Sequence, residues 1–123
     1  MPATFPVEPA SDDYCYLVTT GRKTGQPRTT EMWFALHEGT LYVLAGSGER
    51  AYWVRNLRAD PALAIQLGGE TFQCHARDPQ SEEEDALARR LLVRKYQPRS
   101  SRDLSGWGRT ALPLAFEVRQ PGG

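Results

Sequence analysis

From Asp13 onward, apolar and polar positions alternate with a period of two, and turn-forming residues interrupt the alternation. Tyr14-Cys15-Tyr16-Leu17-Val18-Thr19-Thr20 is rich in β-branched and aromatic side chains and stops at Gly21, which predicts a first strand. After a loop punctuated by Gly and Pro, the segment Arg28 to Leu36 resumes with Met32, Phe34 and Leu36 on one face. Glu38-Gly39 then turns the chain into a third strand, Thr40 to Ala45, and the three strands read as a meander.

Gly46-Ser47-Gly48 ends this pattern and the period changes. Ala51, Val54 and Leu57 recur at helical spacing, with Trp53 beside them, and predict a helix through Glu49 to Arg58. Pro61 disfavours a helical Asp60 and closes it. A second hairpin follows, with Leu63, Ile65 and Leu67 on one arm, Gly68-Gly69 at the turn, and Phe72, Cys74 and Ala76 on the other. Ser81 and Glu84 have capping-box spacing. Acidic residues lead the helix they open and basic residues close it, matching the macrodipole, and Pro98 stops it after about Gln97. Pro98 to Thr110 reads as a polar loop around Gly106-Trp107-Gly108, and Leu112, Leu114, Phe116 and Val118 form a last alternating strand.

Six short strands with two helices predict a mainly β (α+β) domain, an antiparallel barrel closed or nearly closed and covered by the helices. The order is not βαβ, which argues against a doubly wound nucleotide fold. Residues 1–12 hold three prolines and no periodicity and read as a flexible lead-in to a single domain over 13–120. At 123 residues the chain supports one core.

Charge changes the picture little, because fifteen basic residues balance fifteen acidic ones. Nothing global draws the chain to nucleic acid or to an anionic membrane. No apolar run approaches the length of a bilayer span, the N-terminus lacks signal-peptide character, and two cysteines make no disulfide framework. A cytoplasmic protein is the simplest expectation. Any anion binding has to be local.

The strongest local signal is Thr19-Thr20-Gly21-Arg22-Lys23-Thr24-Gly25-Gln26-Pro27-Arg28. Arg28 shares parity with Met32 and Phe34, so it is expected at the barrel mouth. Lys23 and Arg28 held together would grip a phosphate through charge-assisted hydrogen bonds, with Thr24 and glycine-flanked N–H groups as further donors. The competing reading is an ordinary hairpin with solvated basic residues. Ser47, where a strand gives way to a helix, is either a cap or part of a site built on free helix N–H groups. Trp53 and Leu57 lie one turn apart and read as core, and Asn56 as a structural hydrogen-bonder. Arg50, Arg55 and Arg58 either extend the anion site or form a wet face. Cys74 and His75 point to opposite faces of a strand and do not suggest a metal site. Tyr96, at the end of the second helix, and Trp107, between glycines, are candidates for the wall or lid of a pocket.

These motifs, followed by Trp33-Phe34, a Gly/Ser break and Trp53-x-x-Asn56-Leu57-x-x-x-Pro61, resemble the deazaflavin-dependent nitroreductase family over roughly residues 16–77. The resemblance implies a split β-barrel that uses the deazaflavin coenzyme F420 to pass a hydride to a small electrophilic acceptor such as a quinone, enone or nitro compound. It implies that Lys23 and Arg28 hold the coenzyme's phosphate and that Arg22 or Arg50 meets its anionic tail. It places Ser47 near the ring and Trp53 and Asn56 on the helix bordering the site; beyond the matched segment Tyr96 partly matches the family's substrate-side tyrosines, and Tyr96 and Trp107 are the candidates for the acceptor side. FMN on the same barrel is the alternative cofactor, a non-catalytic flavin or deazaflavin carrier the next reading, and haem, with only His37 or His75 as axial ligand, the third cofactor. FMN-binding split barrels usually pair while some deazaflavin relatives stand alone, so a homodimer is one of two expected states.

Overall fold

The alternation closes into a barrel because successive strands bury one side chain in two. In the computed structural model, which describes residues 4–6 and 11–119, seven antiparallel strands form one sheet. They are β1 (Cys15–Thr20), β2 (Pro27–Met32), β3 (Ala35–His37), β4 (Thr40–Ala45), β5 (Ala62–Leu67), β6 (Glu70–Arg77) and β7 (Leu112–Val118). Their order is β2-β1-β5-β6-β7-β4-β3. The helices are α1 (Tyr52–Ala59), α2 (Glu82–Tyr96) and the short α3 (Ser105–Thr110).

The seventh strand comes from the segment expected as one strand over Arg28 to Leu36. It divides at Trp33-Phe34. The first half pairs with β1, with Met32 opposite Cys15, and the second with β4, with Ala35 opposite Tyr42. The two edges of the sheet are therefore consecutive in sequence, and the chain itself closes the barrel where the hydrogen-bond ladder is interrupted. The expected meander survives in connectivity, but its middle strand is shared between opposite edges. Parity holds through the break, since Met32, Phe34 and Leu36 all pack into the barrel interior.

Strand β4 shows why one run of residues is buried throughout. Leu41, Val43 and Ala45 fill the interior with Leu17, Ile65, Leu114 and Phe116. Tyr42 and Leu44 face outward, under Ala88, Leu92 and Tyr96 of α2. Helix α1 plugs the interior with Trp53, Val54 and Leu57. Phe5 lies in the stretch read as a loose lead-in, yet it is 3% exposed and packs edge-on against Phe72. An isolated aromatic with no periodicity around it carries no strand or helix signal. Residues 1–3 and 7–10, the rest of that lead-in apart from Thr4, Pro6, Ser11 and Asp12, lie outside the described residues.

Ser81 Oγ accepts from Glu84 N–H at 3.0 Å, as its spacing predicts. Glu84 reaches back one residue further than a capping box requires, accepting from Gln80 N–H at 2.6 Å. Its carboxylate is also held by Arg77 through two 2.8 Å hydrogen bonds and by the Tyr42 hydroxyl at 2.6 Å. Arg77 reaches Glu117 at 3.1 Å, so this network ties β4, β6 and β7 to α2. The Arg77 guanidinium holds the Glu84 carboxyl down from an ordinary 4.5 to about 2. A lowered carboxylate value means that its contribution to stability is complete above about pH 4.5 and disappears as pH falls toward 2. Acid titration of the folded protein should show this loss, and Glu84→Gln should remove that part of the slope while lowering stability at neutral pH.

The segment Pro98 to Thr110, read as a loop, contains α3. Gly106 and Gly108 lower its helix propensity in sequence. A Cβ at Gly108 would sit 2.6 Å from Val93 Cγ2, so glycine is what lets α3 lie against α2. Among the described residues no helix is long and apolar enough to cross a membrane.

Candidate functional site

The loop between β1 and β2 is tightly drawn. Gly21 N–H donates to the Gln26 carbonyl and Gly25 N–H to the Gly21 carbonyl, each at 2.8 Å. Gly25 adopts φ 71°, which glycine alone accepts without strain. A Cβ at Gly21 would lie 2.9 Å from Thr24 Oγ1 and 3.1 Å from the Gln26 carbonyl, so both glycines are required by the turn. Thr24 Oγ1 accepts from Gln26 N–H at 3.2 Å.

Asn56 braces this loop from α1. It is 2% exposed. Its Oδ1 accepts from Arg22 N–H and from the Arg22 guanidinium, both at 3.1 Å, and its Nδ2 donates to Thr19 Oγ1 at 3.2 Å. Asn56 is thus occupied by the protein, and Arg22 is turned back onto it. Trp53 is buried in the barrel core. Lys23 and Arg28 are exposed, and among the described residues neither side chain has a hydrogen-bond or ion-pair partner. They line a hollow of about 180 Å³ with Thr24, Asn56 and Tyr52. Tyr52, which sequence reasoning missed, is 48% exposed, and its hydroxyl lies 2.9 Å from Thr30 Oγ1. An aromatic on the polar side of an otherwise amphipathic helix was the available signal.

A second cavity, of about 620 Å³, opens at the other end of β2. Met32, Trp33, Leu44, Leu104, Trp107 and Tyr14 give it an apolar wall, and Glu31, Ser100, Arg102 and Asp103 its polar part. Arg28 and Met32 are four residues apart on one strand, which at roughly 3.3 Å per residue separates the two sites by about 13 Å. Trp107 stands edge-on to Trp33, with ring centroids 5.6 Å apart. Gly46 brings the β4–α1 turn against Trp107, since a Cβ there would be 3.7 Å from its ring. The Ser47 side chain makes no cap hydrogen bond and is exposed beside this turn. Arg50 is exposed one turn further on.

Tyr96 underlies the cavity instead of lining it. Its ring stacks on Trp33 at 4.3 Å with an interplanar angle of 2°. Its hydroxyl accepts from Phe34 N–H at 3.0 Å and is 2.7 Å from the Asp13 carbonyl to which it donates. The residue is 2% exposed with its hydroxyl engaged by backbone groups, and burial pushes this phenol up to about 12, so it stays protonated near neutral pH. The neighbouring Lys95 donates to the Phe34 carbonyl at 3.0 Å and lies over the Phe34 ring, and burial lowers its ammonium to about 8. Together Lys95 and Tyr96 hold the point where the edge strand breaks, and with it Trp33. Sequence gave Trp33 no role beyond the motif because its parity sets it opposite Met32 and Phe34.

Other chemistries find little support. Cys15 and Cys74 are buried and unpaired, and burial pushes both thiols up to about 12, far from the thiolate a nucleophile needs. Cys74 is fully buried while His75 faces out toward Glu117 at 3.3 Å. Among the described residues no three His, Cys, Asp or Glu side chains gather as a metal site.

The barrel thus carries an exposed cationic loop at one end of β2 and a cavity with an aromatic wall at the other. Residues 7–114 match the F420H(2)-dependent quinone reductase family, and the chain belongs to it. It is an oxidoreductase, its coenzyme is F420, and its acceptor is a small molecule of the quinone type. An F420H(2)-dependent quinone reductase of Mycobacterium tuberculosis is 31% identical over 108 residues, 78% of this chain and 72% of that protein. Among solved structures, an F420-H2 dependent reductase superposes with a TM-score of 0.64 at 23% identity, over 88% of this chain and 95% of that one. HutZ, the heme storage protein of Vibrio cholerae, superposes with a TM-score of 0.68 at 17% identity, over 88% and 82%. Those two likenesses concern the fold alone.

Proposed function

We propose that Lys23 and Arg28 hold the phosphate of F420, and that the quinone occupies the cavity between Trp33 and Trp107. Bound F420 in its reduced form supplies the hydride; the protein orients the reactants and keeps water from them. The observation that carries this reading is a pair of cations, Lys23 on the β1–β2 loop and Arg28 at the start of β2, that have no side-chain partner among the described residues and stand at the far end of the strand from the cavity wall. Two cations with no acid partner among the described residues suit an anionic phosphate, each able to donate a charge-assisted hydrogen bond to it. Thr24 and Tyr52 flank the phosphate. Arg50 serves the anionic tail, Ser47 and Gly46 border the ring, and Trp107 faces the acceptor. Arg22 and Asn56 shape the loop rather than touch the coenzyme, and Trp53 and Tyr96 support the site from within the packed core. Two buried free thiols are consistent with a reducing compartment, in keeping with a cytoplasmic location.

The test is a fluorescence titration of the purified protein with F420 and with the phosphate-free deazaflavin riboside. The riboside should bind about 100-fold more weakly, the effect of losing two charge-assisted hydrogen bonds. Equal affinities would remove the phosphate anchor. A protein that binds F420 and leaves menadione unreduced in the presence of reduced coenzyme would be a carrier instead.

A further inference from the structure

The cavity assigned above to the acceptor contains a single cation among its lining residues, Arg102. Among the described residues its guanidinium has no hydrogen-bond or ion-pair partner. Several other arginines of this chain are committed. Arg58 pairs with Glu49 and Asp78, Arg77 with Glu84 and Glu117, Arg89 with Asp85, and Arg99 with Asp13. The two acids beside Arg102 are turned to other donors. Glu31 accepts from the Tyr16 hydroxyl at 3.0 Å, and Asp103 from Ser105 N–H at 2.9 Å at the start of α3.

The backbone carrying Arg102 is built, not loose. The side-chain amide of Gln97 clamps it from both sides, donating to the Arg102 carbonyl at 2.8 Å and accepting from Leu104 N–H at 2.7 Å. Arg102 N–H donates to Ser100 Oγ at 3.1 Å. Leu104 and Trp107, on the same segment, form part of the apolar wall. One short stretch therefore supplies both the surface on which a planar acceptor packs and the cation nearest its edge.

Resting on the function proposed above, we propose that Arg102 is a catalytic residue of the acceptor side, meeting the quinone oxygen on which negative charge develops. The quinone gains a hydride, two electrons and a proton, and becomes a hydroquinone monoanion. A proton from water then completes the hydroquinone, balanced by the one proton that reduced F420, when bound, would release to solvent. Quinone oxygens only accept hydrogen bonds, so the cavity must supply donors. A guanidinium offers several donors in a fixed plane and stays charged at every working pH. Its attraction for the oxygen grows as charge arrives, which is the condition for lowering a barrier rather than merely tightening binding.

The experiment uses the full chain and the variants Arg102→Gln, Arg102→Lys and Arg102→Glu, with menadione as acceptor. Removing an oxyanion donor typically costs about 100-fold or more; at a solvent-accessible rim, Arg102→Gln should lower kcat by about 10-fold to 100-fold with a smaller change in KM. Arg102→Lys should recover part of the loss, and Arg102→Glu should fall below Arg102→Gln. F420 affinity should stay within about two-fold, since the anchor lies at the other end of β2. A second readout needs no turnover. The ionised hydroxynaphthoquinone lawsone imitates the anionic product and should quench the fluorescence of Trp33 and Trp107, with a dissociation constant about 10-fold higher in Arg102→Gln. A glutamine variant that matches the native protein in kcat and in lawsone binding overturns the role of Arg102 and leaves the quinone reading intact. A native protein that binds F420 and does not reduce menadione overturns both.

Discussion

Lys23→Glu should raise the dissociation constant of F420 about 100-fold and leave the melting temperature where it is. Lys23 is exposed at the tip of the β1–β2 loop and has no partner among the described residues, so the folded protein loses no internal contact. Binding loses a charge-assisted hydrogen bond and gains a repulsive charge beside the phosphate, and each of these weakens affinity by one or more factors of ten, about 100-fold in all. Arg28→Gln, a neutral replacement, should lie between the native protein and Lys23→Glu. Fluorescence titration and a thermal melt on the same preparations give both quantities. Against the phosphate-free riboside, native and variant proteins should bind alike, because the group that Lys23 meets is missing. A variant that loses affinity for both ligands equally would mean that the loop acts on coenzyme shape and not on its phosphate.

Asn56→Leu should destabilise the fold by about 2–3 kcal/mol, the cost of leaving the buried Thr19 hydroxyl without its donor and of losing the two part-buried bonds to Arg22. Leucine fills nearly the same volume, so the effect isolates the hydrogen bonds. Arg22 N–H and its guanidinium lose their acceptor, and Thr19 Oγ1, on a residue 2% exposed, loses its donor. For a domain of this size that is a fall of about 10 °C in melting temperature. Asn56→Asp should be milder near neutral pH, because it keeps both bonds to Arg22 and the Thr19 hydroxyl can turn to donate. The same loss should reach the site: with the loop unbraced, F420 affinity should fall in Asn56→Leu although Asn56 is turned to Arg22 and Thr19. Calorimetry with coenzyme titration checks both, and a leucine variant as stable as the native protein would end the bracing role.

These two residues mark how far the site could be read in advance. Lys23 and Arg28 could be read in advance as an exposed cationic pair, the proposed anchor, because the loop that presents them is local, set by Gly21, Gly25 and Pro27 within a few residues. Asn56 stood in the motif, but its duty did not, because its partner Arg22 is 34 positions away. Tyr96 was expected as part of a pocket wall, and the structure sets it beneath the aromatic cavity, bonded to Phe34 across 62 positions. Arg102 could not be distinguished from the other arginines until the structure set it as the single cation lining the aromatic cavity.

The fold divides in the same way. Period-two alternation, the glycine turns at Gly39 and Gly68-Gly69, with φ of 81°, 60° and 81°, and the Ser81 cap are properties of a few adjacent residues. The sequence alone therefore determined the strands, both principal helices and the interior parity of Met32, Phe34 and Leu36. Tertiary structure alone decided that the second strand would break at Trp33-Phe34, that α3 would form against Val93, and that Phe5 would join the core. Each depends on what covers the other face of the chain: α2 lies outside β3 and β4 and turns Trp33, Tyr42 and Leu44 from surface positions into a second core. Alternation records that a strand has two faces, and only packing settles what each face meets.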